Sequence, residues 1–221
     1  MYFIMKPLLS VCFLFMVAFA QAQHAQRLSH YVFPEFRQGT VLMKNGARNE
    51  TLLNYNSLSE EIVFNNHGSL LAIGKQVLPQ IDTVFIGDSR FVRIDQTFME
   101  WIEVNEDTRL LVEYKCKLIP PGKPAAYGGT SQTSSVESYS SWLADGRVYD
   151  LKLPDEYKVK PYTVYRIGHG GEWKSFSSLN QLRKIYKDKK EAIKAYTKQQ
   201  KVDFDNPDEV VRLLHYVESN K

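Results

Sequence analysis

Any chemistry in this 221-residue chain must come from five histidines, one serine-rich loop, one downstream thiol and a run of cations. The histidines are His24, His30, His67, His169 and His215; apart from His24 and His30 near the N-terminus, no two share the close spacing of convergent metal ligands. No nucleophile elbow, phosphate loop, dinucleotide fingerprint, His-Glu-x-x-His or calcium loop occurs. The residues therefore point to no metal and no cofactor. One hydrolytic arrangement can be written down: a serine between Gly128 and Ser135 as nucleophile, His169 as base, and Asp145 or Asp150 orienting it. It requires the three groups to meet within hydrogen-bond reach. Glu60 and Glu61 are adjacent, so on a strand they point to opposite faces and do not form the paired carboxylates of glycoside hydrolysis.

Binding chemistry is better represented. From Gln181 to Lys201 there are eight basic residues and two acidic ones, a local charge of +6 in a chain whose total is +3. The remainder is thus net acidic at −3, and the charge is concentrated on one short stretch. Lys187, Lys189, Lys190 and Lys194 are its centre, and an anionic lipid head group, a glycan or an acidic envelope protein would suit it. No basic sheet interleaved with aromatics accompanies it, which argues against nucleic acid. The second candidate surface is aromatic: Tyr127, Tyr139, Trp142 and Trp173, with Tyr149 and Phe176, lie in or near one long loop and the hairpins that follow it. Flat amphipathic rings give contact area at low entropic cost, as carbohydrate or protein recognition needs.

These residues must be positioned by strands and helices. From Gln38 to Lys117 an apolar, β-branched pattern is broken by a turn signal roughly every ten residues: Asn45-Gly46, Asn56 to Ser59, Asn66-His67-Gly68, Gly74 to Pro79, Gly87-Asp88, Asp95-Gln96 and Asn105-Glu106-Asp107. This predicts an up-and-down meander of about eight strands, arranged as a curled sheet, a barrel or a sandwich to protect its edges. On the strand from Leu110 to Leu118, Leu110, Val112, Tyr114, Cys116 and Leu118 share one face, and Glu113, Lys115 and Lys117 the other. Cys116 reads as a small buried hydrophobe. The composition turns to Pro, Gly, Ser and Thr over the loop at 119–135, and strand character returns at Val136 to Leu143, Arg147 to Leu153 and Tyr157 to Ile167.

Helical spacing begins at Ser177. Ser178 is placed to cap a helix with Leu179, Leu182 and Tyr186 inward, and Asp188 with Glu191 reads as a capping box for a second helix with Ile193 and Tyr196 inward. Asn206, Pro207 and Glu209 open a third, with Val210, Leu213, Leu214 and Val217 on one face.

At the other end, Lys6, the apolar run Pro7 to Phe19 and the small-x-small sites at Ala18-Phe19-Ala20 and Ala20-Gln21-Ala22 form a signal peptide, cleaved after Ala20 or Ala22. Val11 before Cys12 does not fit a lipobox. No later apolar run is long enough for a membrane helix, and Cys116 is left as the only thiol after cleavage.

Several of these stretches also carry a resemblance. Tyr165-Arg166-Ile167, Lys189-Lys190-Glu191, Ile193-Lys194-Ala195-Tyr196, Val202-Asp203-Phe204 and Asp208-Glu209-Val210-Val211-Arg212-Leu213, with Gly39-Thr40-Val41, Lys44-Asn45-Gly46 and Leu53-Asn54-Tyr55-Asn56, resemble a family of secreted, uncharacterised proteins from Bacteroidetes-type bacteria. The resemblance implies export into a Gram-negative envelope and transfers no catalytic residue. The expected organisation is a signal peptide at 1–22, a β-rich domain at 23–176 and a helical tail at 177–221, making an α+β, mainly antiparallel β protein. The expected function is that of an exported, periplasmic or extracellular module, non-catalytic, that binds a macromolecule or serves as structure at the outer membrane. A hydrolase acting on envelope or extracellular polymers through the 119–135 loop is the competing class.

Overall fold

The computed structural model describes residues 30–119, 158–169 and 171–220, together with a short strand pair at Lys123–Pro124 and Thr130–Ser131. The signal peptide, the strands expected over 136–153, and Tyr127, Tyr139, Trp142, Asp145 and Asp150 lie outside the described residues.

The turn spacing resolves into eight strands: β1 (Arg37–Met43), β2 (Arg48–Asn56), β3 (Glu61–Asn66), β4 (Ser69–Ala72), β5 (Ile81–Ile86), β6 (Ser89–Ile94), β7 (Thr97–Glu103) and β8 (Thr108–Ile119). Within the long loop, β9 (Lys123–Pro124) pairs antiparallel with β10 (Thr130–Ser131). Beyond it, β11 (Lys158–His169) returns along β8, and β12 (Glu172–Phe176) closes a hairpin on β11. The main sheet has ten strands in the order β12-β11-β8-β7-β6-β5-β1-β2-β3-β4 and is antiparallel throughout. The meander thus grows outward from β1 in two directions, and one connection carries the chain from the β4 edge back to β5 through a 3₁₀ turn at Leu78–Gln80. Pro161 is tolerated opposite Cys116 because β12 pairs only with Tyr165 to His169, leaving that part of β11 as an edge among the described strands.

The hairpin turns carry the expected residues with varied geometry. At Asn45-Gly46 only Gly46 has positive φ (86°), so the loop is three residues long, with Asn45 Oδ1 accepting the Ala47 amide at 3.0 Å. Gly87 (φ 56°) is the first residue of a two-residue loop between Ile86 and Ser89. At the β3–β4 turn both central residues are left-handed, His67 at 51° and Gly68 at 95°. Asparagine tolerates that region better than histidine, so His67→Asn is expected to raise stability by about 0.5 kcal/mol, read as a higher urea midpoint at unchanged slope.

Of the curled sheet, barrel and sandwich, the sheet takes the first form, because its edges β4 and β12 stay unjoined. Its curvature is strong. β2 and β6 are three strand spacings apart, about 14 Å in a flat sheet; yet the Tyr55 and Phe91 rings stack at 5.5 Å. Lys115 Nζ on β8 reaches Glu60 Oε1, in the β2–β3 turn, at 3.1 Å. The concave face closes on Leu53, Tyr55, Ile62, Val84, Ile86, Phe91 and Phe98, all buried. The preceding segment plugs the core with Phe33, pinned by Asn54, whose side chain accepts from Phe33 N at 3.1 Å and donates to Phe33 O at 2.9 Å.

The second layer is helical: α1 (Leu179–Ile185), α2 (Lys190–Gln199) and α3 (Pro207–Ser219). Val210, Leu213, Leu214 and Val217 of α3 are fully buried against Leu110, Val112, Tyr165 and Ile167 of the sheet. Each such side chain contributes roughly 1.5–3 kcal/mol by leaving water. Asn206 caps α3 as expected, its Oδ1 accepting from Asp208 N at 3.1 Å, and Glu209 braces the cap from Asn206 Nδ2 at 3.3 Å. The Asp188–Glu191 box does not form. α2 begins at Lys190, with Lys189 at the cap position and no side-chain cap. Cys116 is buried as expected, and burial pushes its thiol up to about 11, which leaves no thiolate at neutral pH.

Candidate functional site

The basic stretch folds into a groove between α1 and α2. Arg183 and Lys184 come from the last turn of α1, Lys187 from the link, and Lys190 and Lys194 from α2. With Asn180 and Glu191 these side chains line a space of about 700 Å³. Among the described residues the one ion pair within it, Lys194 to Glu191 at 3.9 Å, joins two exposed side chains and contributes little. Cations at the C-terminal end of α1 complement its dipole; at the uncapped N-terminal end of α2 they oppose it. Lys187 and Lys190 gain nothing from α2 in this position. Together the five cations create a positive potential that an anion would relieve.

Lys189 does not join them. Its sequence neighbours suggest one set of four lysines, but the side chain turns to the opposite side and donates to Glu218 Oε2 at 2.8 Å. Glu218 lies in the last turn of α3, and its side chain is 10% exposed. Its other oxygen accepts from Tyr186 Oη and from Thr108 Oγ1, the latter at 3.2 Å. Thr108 Oγ1 is also 3.3 Å from His169 Nδ1, so with the threonine proton directed to Glu218, the Nδ1 proton is assigned to the contact with Thr108. Burial alone would raise the pKa of Glu218. The hydrogen bonds from Lys189 and Tyr186 outweigh it, and the carboxyl sits below its usual value. Burial, then the bond to Glu218, pushes the Tyr186 hydroxyl well above its ordinary range.

Hydroxyl, imidazole and carboxylate therefore meet, but in an order that does not hydrolyse. A nucleophilic relay needs imidazole between hydroxyl and carboxylate; here the hydroxyl stands in the middle. Thr108 is also fully buried, so no substrate carbonyl could approach it. The arrangement is a clasp that joins β8, β11, the α1–α2 link and α3. Most of the serine loop, with Asp145 and Asp150, lies outside the described residues.

Of the aromatic candidates the described residues include Phe176 and Trp173: Phe176 is buried, stacked on Tyr165 at 5.1 Å in the core under the helices, and so belongs to no surface, which leaves Trp173. Its ring lies over Gly168, where an added Cβ would stand 2.9 Å from the indole, and meets Trp101 edge-on at 6.1 Å. Trp173 remains 45% exposed on the outer, convex face, with the Arg90 and Arg109 guanidinium groups 5.5 and 5.9 Å from the Trp101 ring. This is a surface patch on the convex face of the sheet, and none of its residues lines the basic groove.

A cavity that the residue pattern did not reveal lies in the mouth of the curled sheet, lined by residues of the β2–β3 turn, β3, the crossover, β6 and β7. Two of its polar residues, Ser59 and Arg93, are remote in sequence, and the turn signal that includes Ser59 says nothing of a shared site. Compared with family models, with curated proteins and with solved structures, the chain finds no match.

Proposed function

We propose that this protein is an exported, non-catalytic binding module of the cell envelope, and that its α1–α2 groove docks a phosphate-bearing anionic surface, such as lipid head groups. The observation that carries the reading is the gathering of Arg183, Lys184, Lys187, Lys190 and Lys194 around one groove with a single acid among them, at a helix N-terminus where cations oppose the dipole. An anion seated there would relieve the repulsion among the cations and meet the free amides of α2. The signal peptide read from the N-terminal residues and the resemblance to secreted proteins support placing it outside the cytoplasm. Among the described residues no helix is long and apolar enough to cross a membrane, so attachment through the groove would be peripheral.

The test is co-sedimentation with vesicles of phosphatidylglycerol and, separately, of phosphatidylcholine. Binding is expected only to the anionic vesicles, and it is expected to vanish at about 1 M salt, where the screening length falls to about 3 Å. Lys187→Glu, Lys190→Glu and Lys194→Glu combined should weaken binding at least about tenfold at low salt, each exposed charge near an anionic surface being worth about 1 kcal/mol. The triple variant should keep its melting temperature, because none of the three side chains is buried. Equal retention of wild type and variant would remove the groove as the docking surface.

A further inference from the structure

The cavity in the mouth of the curled sheet has a volume of about 490 Å³, within the range of small-molecule sites. Its apolar wall is formed by Ile62, Ile73, Leu78 and Phe98. Two polar atoms at this wall lack any hydrogen-bond partner although both are shielded from solvent: Ser59 Oγ and Arg93 Nε. Ser59 is 2% exposed, and its turn belongs to one arm of the sheet. Arg93 belongs to β6 on the other arm, and it makes no ion pair with a described residue. Of the cavity's carboxylates, Glu60 is paired with Lys115 at 3.1 Å; Glu61, Lys75, Gln96 and Thr97 also line the cavity. A buried donor without an acceptor costs about 1–3 kcal/mol, and more when it is part of a charged group. Two such donors at one cavity, one of them on a guanidinium, are matched by a single planar acceptor of opposite charge.

We propose that this cavity binds a small organic acid, with its carboxylate accepting from Arg93 Nε and Ser59 Oγ and its apolar body lying on Ile62, Ile73, Leu78 and Phe98. The site is independent of the basic groove: it is built on the sheet, it is partly apolar, and it takes a single small molecule where the groove takes a surface. The curl of the sheet is what creates it, since β3 and β7 face each other across the mouth only because the two arms fold together.

Methyl-labelled protein titrated with octanoate, and separately with octanol, tests it. Octanoate is expected to give saturable shifts at the Ile62, Ile73 and Leu78 methyls, and octanol is expected to bind roughly tenfold or more weakly. Arg93→Gln should weaken octanoate roughly tenfold to hundredfold while leaving octanol unchanged. Should Arg93→Gln fail to fold, as the Leu213 and Leu214 methyls in the helical layer would show, Ile73→Trp provides the second arm by filling the cavity and abolishing the shifts. No saturable shift with octanoate in the wild type, equal affinity for acid and alcohol, or an Ile73→Trp protein that binds as before would each overturn the proposal.

Discussion

Replacing Glu218 with alanine is expected to lower the stability of the protein by about 2–4 kcal/mol, because it removes the common acceptor of three donors, leaving the fully buried Thr108 hydroxyl without its acceptor and Lys189 without its counter-charge. The carboxylate is there despite the helix and not because of it. In the last turn of α3 it meets the negative end of the dipole, and no basic residue of that turn offsets it. Lys189, reaching across from the start of α2, supplies the compensation. Glu218→Gln keeps an acceptor but loses the charge, so it should cost roughly half as much. The pH dependence follows from the direction of the shift. Since the folded-state pKa of Glu218 is lowered from 4.5, its contribution is complete above that value and is lost as pH falls through the folded value. The Tyr186 hydroxyl is raised from 10.0, so its contribution is complete below 10 and declines as pH rises beyond it. The difference in unfolding free energy between wild type and Glu218→Ala, measured by urea titration, should therefore be flat from about pH 5 to 9 and shrink on both sides. A difference below about 1 kcal/mol at pH 7 would show that the clasp is surface decoration, since exposed ion pairs reach no more than that.

The same clasp shows where a residue pattern can and cannot locate a site. Local features were legible: the alternation of Leu110, Val112 and Tyr114 places one face of β8 on the helices, and the Asn206-Pro207 start with Val210, Leu213, Leu214 and Val217 defines α3 almost to the residue. These depend on neighbours two to four positions away. Thr108 and Glu218, by contrast, are 110 residues apart, and nothing in either neighbourhood anticipates the other. Lys189 reads as one of four equivalent lysines because charge is visible in sequence and side-chain direction is not. Its place just before α2 turns it away from Lys187 and Lys190, and the missing Asp188–Glu191 box is part of the same change, since α2 starts later than that pairing requires. The mouth cavity was hidden for a related reason. Hairpin signals tell which strands are consecutive, but the side of β1 taken by β5, and the curl that brings Ser59 and Arg93 to one cavity, arise from packing of Tyr55 on Phe91 across non-adjacent strands.

That junction of β1 and β5 is also where a one-carbon change should do most damage to the sheet. Among the described strands, the β1–β5 ladder alone joins the four strands from β1 to β4 to the six on the other side. Gly39 sits in it, opposite Ile86 on β5 and Thr51 on β2. A Cβ at Gly39 would run into the Phe85 carbonyl oxygen and stand 2.7 Å from Leu53 Cδ1. The leucine is fully buried in the concave core and the carbonyl belongs to the neighbouring strand, so neither can move aside without disturbing a ladder or a packed side chain. Gly39→Ala is therefore expected to cost about 2–4 kcal/mol, more than the usual strand preference for alanine over glycine could return. Adding Leu53→Ala separates the two contacts. It removes the side-chain clash and leaves the carbonyl clash, so the double variant should be less destabilised than the sum of the singles by about 1 kcal/mol, yet still less stable than Leu53→Ala alone. Strict additivity would mean that the carbonyl alone sets the cost. A stability for Gly39→Ala within about 0.5 kcal/mol of wild type would mean that β1 and β5 lie further apart than their register requires, and the tight junction on which the curl and its cavity depend would have to be redrawn.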